Sequence, residues 1–386
     1  MMATFLVAAC SITFAIHYYF WARLVRDTAL PAPYRTAAIG ALIVLGAILP
    51  LPMLLARVSG PLARIVAWPA FVWMGLMLFL LVALLVADGA QAVIAVGARA
   101  GGSPLDPERR LWLRRVLGGA AAAVSAGLGA FAVRQGLREV ALRELSVELP
   151  RLPRALAGTT IVQLTDVHLG PTLGREFLEG LVRRCNALAP DVVAITGDLV
   201  DGRVEDLREV VAPLAALEAR WGVYFVTGNH EYYSGADAWI AELSRLGVRV
   251  LRNERVAIGD GERHFDLAGV DDFNSRGLLP GHGPDLARAL AGRDPSRELV
   301  LLAHQPAAVH EAARHGVGLQ LSGHTHGGQL WPWKYLVRLQ QPYVQGLARL
   351  RDTWIYVSPG TGYWGPPMRL GTAAEITRVV LRSRVA

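Results

Sequence analysis

The sequence predicts a layered α+β domain preceded by an N-terminal bundle of about four transmembrane helices. Three observations carry that expectation. The first 134 residues hold four apolar stretches near bilayer length, free of Asp, Glu, Lys and Arg. Beyond them, short β-rich apolar runs alternate with helical patterns. Five of those runs end on Asp, Asn or His beside small residues.

Apolar residues make up 53% of the 386 positions, with a positive mean hydropathy, which is high for a purely soluble chain. The stretches run from Ala3 to Ala22, Ala37 to Ala56, Ile65 to Ala87 and Val116 to Val133. Four in succession leave almost no polar helix face, which argues for membrane spans over buried core helices. Tyr18-Tyr19 fits an interfacial belt, and the Ala/Gly-rich fourth run suits close helix packing. "MMATF" lacks the positive start of a secretory signal.

Arginines set the expected orientation. Arg23, Arg26, Arg35, Arg99, Arg109, Arg110, Arg114 and Arg115 fall in the first and third connections. Arg57 and Arg64 fall in the second, and Arg134, Arg138 and Arg143 follow the fourth run. The positive-inside rule then leans the C-terminal half outside the cytoplasm. The net charge of +7 is nearly all arginine, since Lys334 is the sole lysine. It suits anionic lipid or phosphorylated substrates; without a basic stripe interleaved with aromatics, no nucleic-acid partner is expected. Cys10 and Cys185 give no disulfide framework.

The expected organisation is 1–134 for the membrane helices, 135–157 for a linker and 158–386 for the second domain. Within the linker "RQGLREVALREL" reads as an amphipathic helix and "PRLPRALAG" as a Pro-rich connection. Then come the five runs. "TTIVQLTDVHLG" ends at Asp166 and His168, "PDVVAITGDLVD" at Asp198, and "GVYFVTGNHEYY" at Asn229 and His230. "RELVLLAHQP" ends at His304, and "GVGLQLSGHTHGGQ" at His324 and His326. Helices are expected at Arg175–Leu188, Asp206–Ala219, Ala236–Leu246 and Ala307–His315.

Functional groups of open α/β sheets gather beyond the carboxyl ends of the strands. In an extended segment, side chains at i and i+2 point the same way, so Asp166/His168 and His324/His326 are each expected to converge on one ion. Small neighbours let backbone and metal approach. Singly, Asp166, Asp198 and Asn229 read as turn or cap residues and His304 as a buried histidine; seven such coincidences at strand ends do not. Carboxylates, an amide and imidazoles without thiolate suit Mn, Fe, Zn or Co rather than a cysteine zinc site. The donors exceed one four-coordinate ion, whereas two ions about 3.5–4 Å apart would use them all and clamp a phosphoryl transfer.

The series "DVH", "GDLVD", "GNHE", "AHQP" and "GHTHGGQ" resembles the calcineurin-like metallophosphoesterases, from about Gly158 to the C-terminus. With the late segment "GTGYWGPPMRLG" it is similar to their membrane-anchored subgroup, the transmembrane metallophosphoesterase and YkuE/YaeI-type phosphodiesterases. The resemblance implies an αββα sandwich. It also implies two divalent ions, Mn²⁺ foremost: one on Asp166, His168, Asp198 and His326, the other on Asp198, Asn229, His304 and His324. His230 would then act as general acid on a bond attacked by a bridging hydroxide.

The expected function is membrane-anchored hydrolysis of a phosphodiester or pyrophosphate, with membrane lipids as neighbours and a lipid-linked substrate accounting for the anchor. UDP-2,3-diacylglucosamine is the specific candidate that the resemblance implies. That substrate is cytoplasmic and the arginine bias points outward, so the two expectations pull apart. The alternative is a non-catalytic membrane sensor or scaffold binding a phosphorylated ligand, which predicts an eroded donor set. Gly228 and Gly327–Gly328 are candidate N–H donors to phosphate. Asp271 and Asp272 read as site border or turn. Arg369 reads as a phosphate contact or a solvated arginine, and Trp331–Leu339 as a lipid-facing loop or a packed cover. His17, His264, His282, His310 and His315 read as structural or surface.

Overall fold

The computed structural model describes residues 2–52, 61–102, 106–261 and 263–384. The chain divides into two units, Met1–Gln135 with Gly365–Met368, and Gly136–Trp364 with Arg369–Ala386.

The first unit holds helices α1 (Met2–Trp21), α2 (Tyr34–Ile48), α3 (Pro61–Ala100) and α4 (Pro107–Gly136). Among the described residues two helical stretches, Ala63–Ala100 and Pro107–Gly136, are long and apolar enough to cross a membrane. The expectation of four spans is therefore met in part. Helix α2 stops at Ile48, just before the prolines at 50 and 52, which cannot continue it. Its 15 residues give about 22 Å at 1.5 Å per residue, short of a hydrocarbon core of about 30 Å. Positions 53–56 of the expected second span, and Arg57, lie outside the described residues.

Phe20 is buried against Leu80, Leu84 and Ala121, which joins α1, α3 and α4. The buried positions of α4 are all small: Gly118, Ala121, Ser125, Gly129 and Ala132, at helical spacing. Asp88 accepts hydrogen bonds from Tyr19 at 2.8 Å and Arg23 at 2.9 Å. His17 accepts from Trp73 Nε1 at 3.1 Å, a structural role as expected.

Among the described residues, the second unit contains twelve strands. They are β1 (Ala141–Leu149), β2 (Thr160–Leu164), β3 (Val192–Ile195), β4 (Val223–Phe225), β5 (Arg249–Val250) and β6 (Glu254–Asp260). The others are β7 (Arg263–Gly269), β8 (Leu299–Leu302), β9 (Leu319–Ser322), β10 (Gly346–Leu350), β11 (Thr353–Val357) and β12 (Glu375–Ser383). They form two six-stranded mixed sheets, ordered β1-β12-β2-β3-β4-β5 and β10-β11-β9-β8-β7-β6. Strands β2 to β5 are parallel, as are β7, β8, β9 and β11.

Strand periodicity builds the layers. In the first sheet Ile161, Val192 and Ala194 face an apolar core shared with Val300, Leu302, Leu319 and Leu321 of the second. The alternate residues Val162, Leu164, Val193 and Ile195 pack outward against Leu178, Leu181, Leu207, Trp239 and Leu243 of helices Arg175–Ala187, Val204–Val211 and Ala236–Arg245. Leu299 and Leu301 pack outward against Leu286, Ala289 and Ala312. The result is helix, sheet, sheet, helix.

Two expected elements differ: the helix expected at Asp206–Ala219 runs Val204–Val211 and gives way to a 3-10 helix, Ala212–Ala216, at Pro213. The amphipathic helix placed in the 135–157 linker ends with α4 at Gly136, and Ala141–Leu149 is strand β1, parallel to β12. Leu145, Val147 and Leu149 alternate with Ser146 and Glu148, a period of two that pairing with β12 exploits.

Candidate metal centre

Parallel strands deliver every candidate donor to one edge. Thr165 and Asp166 follow β2, Asp198 follows β3 by three residues, Asn229 opens the helix Asn229–Ser234 after β4, His304 follows β8, and His324 and His326 follow β9. All seven predicted ligand residues and His230 are brought to this edge, and among the described residues three clusters, none including Asn229, have ligand atoms within 4.8 Å of one another. These are Asp166/His168/His326, His168/Asp198/His230 and Asp198/His304/His324.

The backbone achieves this differently from the extended geometry expected. Asp166, His168, Asp198, His324 and His326 have φ of 49°, 53°, 50°, 69° and 51°, in the left-handed region that non-glycine residues seldom enter. Such strain persists where surrounding structure over-determines it. The Asp166 N–H donates to Gly197 O at 3.0 Å and the His168 N–H to Asp198 O at 3.1 Å. The His324 N–H donates to the Asp166 carboxylate at 2.9 Å.

Asp166 and His168 do share a cluster, but His324 and His326 part. His326 Nε2 lies 3.0 Å from His168 Nε2 and 3.4 Å from Asp166 Oδ1. His324 Nδ1 lies 3.3 Å from His304 Nε2, which is 3.1 Å from Asp198 Oδ2. The glycines make room for this. A Cβ on Gly228 would sit 2.2 Å from Asp198 Oδ1, and one on Gly323 2.0 Å from Asp166 Oδ2.

Tautomers follow from the outer partners. His304 Nδ1–H donates to Thr196 O at 2.8 Å, leaving Nε2 free toward Asp198. Asp201 Oδ1 accepts from His168 Nδ1 at 2.9 Å and His230 Nδ1 at 2.7 Å, so His168 Nε2 faces the cluster. His230 is partly exposed and is flanked edge-on by Tyr233 and Trp364. Its Nε2 is 4.0 Å from Asp198 Oδ2.

The residues fit a pair of cations. Oxygen and imidazole donors converge with no thiolate among the described residues, Asp198 belongs to clusters on both sides, and Asn229 Oδ1 is buried with no hydrogen-bond partner among the described residues. The electrostatics agree. Burial opposes ionisation of Asp198, yet His304, His230 and His168 outweigh it and hold the carboxyl well below the usual range. Burial and the charge of His304 press His324 down to about 3, and burial with His168 lowers His326, so both present lone pairs. Burial works against a charged His230, but Asp198 and Asp201 prevail and raise it to about 9.

A pH prediction follows for the chelated protein. A folded pKa of about 9 for His230, above the ordinary 6.5, contributes stability that is complete below 6.5 and lost as pH rises through 9. Urea unfolding between pH 6 and 10 should show that decline, and His230→Gln should flatten it. An equally steep decline in the variant would refute the assignment.

Several expectations change. The Gly228 N–H donates to Glu231 Oε2 at 2.6 Å, the Gly327 N–H to Thr325 Oγ1 at 3.4 Å and the Gly328 N–H to Thr325 O at 2.8 Å. All three are thus committed within the fold rather than offered to phosphate. Arg369 is neither solvated nor a phosphate contact. It is fully buried and donates to the carbonyls of His326, Pro359 and Gly362, and burial lowers it to about 10. Asp271 forms a two-pronged ion pair with Arg252, at 2.8 and 3.0 Å. Asp272 borders the site: it accepts from Gln305, and burial, opposed by His304, pushes it up to about 6. Two residues assigned no role by sequence, Asp201 and Glu231, stand inside "GDLVD" and "GNHE".

Sandwich and strand-end cluster together are those of a calcineurin-like phosphoesterase, and the chain belongs to that family, whose model matches residues 159–328. Among individual relatives, an uncharacterized metallophosphoesterase of Aquifex aeolicus is 34% identical over 63% of this chain and 92% of its own length. The "transmembrane protein with metallophosphoesterase domain" of Bos taurus is 45% identical over 74% of this chain. The Bacillus subtilis metallophosphoesterase YkuE is 29% identical over 71% of this chain and 98% of its own. This chain spans 66% of the Bos taurus protein's length and 57% of its Danio rerio counterpart's.

Proposed function

We propose that the chain is a membrane-anchored, metal-dependent phosphohydrolase that cleaves a phosphodiester or pyrophosphate bond. The observation that carries the reading is one buried carboxylate, Asp198, shared by the His168/His230 and His304/His324 clusters. Bound divalent cations would supply Lewis acidity and a water of lowered pKa. Asp166, His168, Asp198 and His326 would hold one ion; Asp198, Asn229, His304 and His324 would hold the other. Manganese suits the oxygen and imidazole donors, as do iron, zinc and cobalt.

The chain's own residues do the rest. Asp201 orients His168 as a ligand and His230 as an acid. With its Nδ1 held by Asp201 Oδ1 at 2.7 Å, His230 presents Nε2 toward the site, where it would donate to the leaving oxygen. Arg369 and the carbonyls it collects fix the Pro359–Gly362 loop, whose Gly362 N–H donates to Asp166 O at 2.9 Å. A lipid-linked substrate accounts for joining this site to apolar helices, and the arginine bias favours a domain facing away from the cytoplasm. The intact donor set argues against a scaffold that merely binds a phosphorylated ligand.

The test is hydrolysis of bis-p-nitrophenyl phosphate by the purified full chain with Mn²⁺, with bound metal measured alongside. Wild type should turn over, and His230→Ala should lose about 10²–10³-fold in kcat at pH 7 while keeping its metal. Metal-loaded wild type without turnover would sink the hydrolase, and an undiminished variant would sink the acid role.

A further inference from the structure

The segment after the histidine motif is left uncovered by the fold. Trp331, Trp333, Tyr335 and Leu336 are each 45–52% exposed, and Leu339 is 81% exposed, all within nine residues. The expected packed cover is thus not what forms: the segment makes a short helix, Lys334–Val337, with its large side chains outward. It is nevertheless firmly seated. Trp331 N donates to Leu370 O at 2.9 Å, and Trp333 N to Leu330 O at 2.7 Å.

Charge says what covers it. The chain has no Asp or Glu between Glu311 and Asp352, a span that carries Arg314, Lys334, Arg338, Arg349 and Arg351. Lys334 lies over the Tyr335 ring at 5.3 Å, and Arg338, also exposed, immediately precedes Leu339. Tryptophan and tyrosine beside snorkelling cations suit the headgroup boundary, where apolar rings enter and the charges meet lipid phosphate.

We propose that Trp331–Leu339 docks onto an anionic lipid bilayer, holding the phosphoesterase domain at the membrane surface through a contact separate from the N-terminal helices. The inference rests on the membrane anchoring proposed above, not on catalysis.

The experiment uses the full chain carrying Cys10→Ser and Leu339→Cys, with a polarity-sensitive fluorophore on the new thiol; Cys185 is buried. The protein is placed in nanodiscs of phosphatidylcholine alone, or of equal parts phosphatidylcholine and phosphatidylglycerol. Emission should shift blue and rise about twofold or more in the anionic discs, with quenching by spin-labelled lipid. Lys334→Glu with Arg338→Glu should abolish that rise while circular dichroism and phosphodiesterase rate stay as in the parent. No shift in co-eluting protein overturns the loop alone, whereas protein recovered outside the discs overturns the anchoring as well. An equal shift in both lipids overturns the anionic specificity. A shift that depends on protein concentration without lipid identifies a second copy as the occupant and overturns the proposal.

Discussion

Asp198→Asn is expected to lower kcat/KM for bis-p-nitrophenyl phosphate by about 10³-fold or more, the largest functional effect of any single change in the site. Asp198 Oδ2 lies 3.1 Å from His304 Nε2 and 3.9 Å from His168 Nε2, and Oδ1 accepts the His230 N–H at 2.9 Å. An amide keeps the shape, removes the charge that faces three imidazoles, and turns an NH₂ group toward nitrogen lone pairs. Both clusters lose their shared anion, so bound metal should fall along with the rate. Stability should respond in a defined direction. The folded pKa of Asp198 is depressed, so its contribution is present above the ordinary carboxylate range and lost as pH falls through the native value. The variant should therefore be less stable than wild type at neutral pH and approach it in acid. Kinetics, elemental analysis and urea unfolding at two pH values check the three parts. A variant with wild-type rate and metal content would remove the shared carboxylate from the mechanism.

Glu231→Ala should cost about 3–5 kcal/mol of stability, the largest structural effect. This carboxyl is fully buried and accepts from the backbone N–H groups of Asp198 at 3.1 Å, Leu199 at 2.8 Å and Gly228 at 2.6 Å. It joins the turn after β3 to the turn after β4. Truncation strands three donors, each worth about 1–3 kcal/mol when left unsatisfied, with some relief from relaxation. Glu231→Gln keeps one acceptor oxygen and should lose less. Burial and the nearby charge of Asp198 push the Glu231 carboxyl up to about 7, so neutralising it costs little beyond the lost acceptor. Denaturant unfolding of both variants in chelator separates this effect from metal binding. Equal stabilities for Ala and wild type would show that other groups satisfy those N–H donors.

The strand-end donors were legible because hydrophobic period and polar punctuation lie close together in the chain: Ile161–Leu164 with Asp166, Leu299–Leu302 with His304. Long-range consequences were not. That His324 and His326 separate depends on their left-handed backbone, which a Ser-Gly-His-Thr-His string does not specify. Strand β1 was misread because its partner, β12, lies more than 200 residues away. The Gly228 and Gly328 N–H groups looked available because their acceptors, Glu231 and Thr325, act only once the turns close. Glu231 did have a signal, an acid three residues after a helix-opening glycine. Asp201 had a weaker one, a second carboxylate in "GDLVD" opposite two ring nitrogens. Arg369 had none, since its acceptors are backbone carbonyls.

One oxygen atom, Asp201 Oδ1, holds both His168 and His230. Cation affinity and proton delivery are therefore mechanically yoked. Any shift of that carboxylate tilts two rings together, and adjustment of one property drags the other with it. Selection on such a site can move along the joint direction, or replace the arrangement as a whole, but has little freedom to tune the acid while leaving the ligand undisturbed.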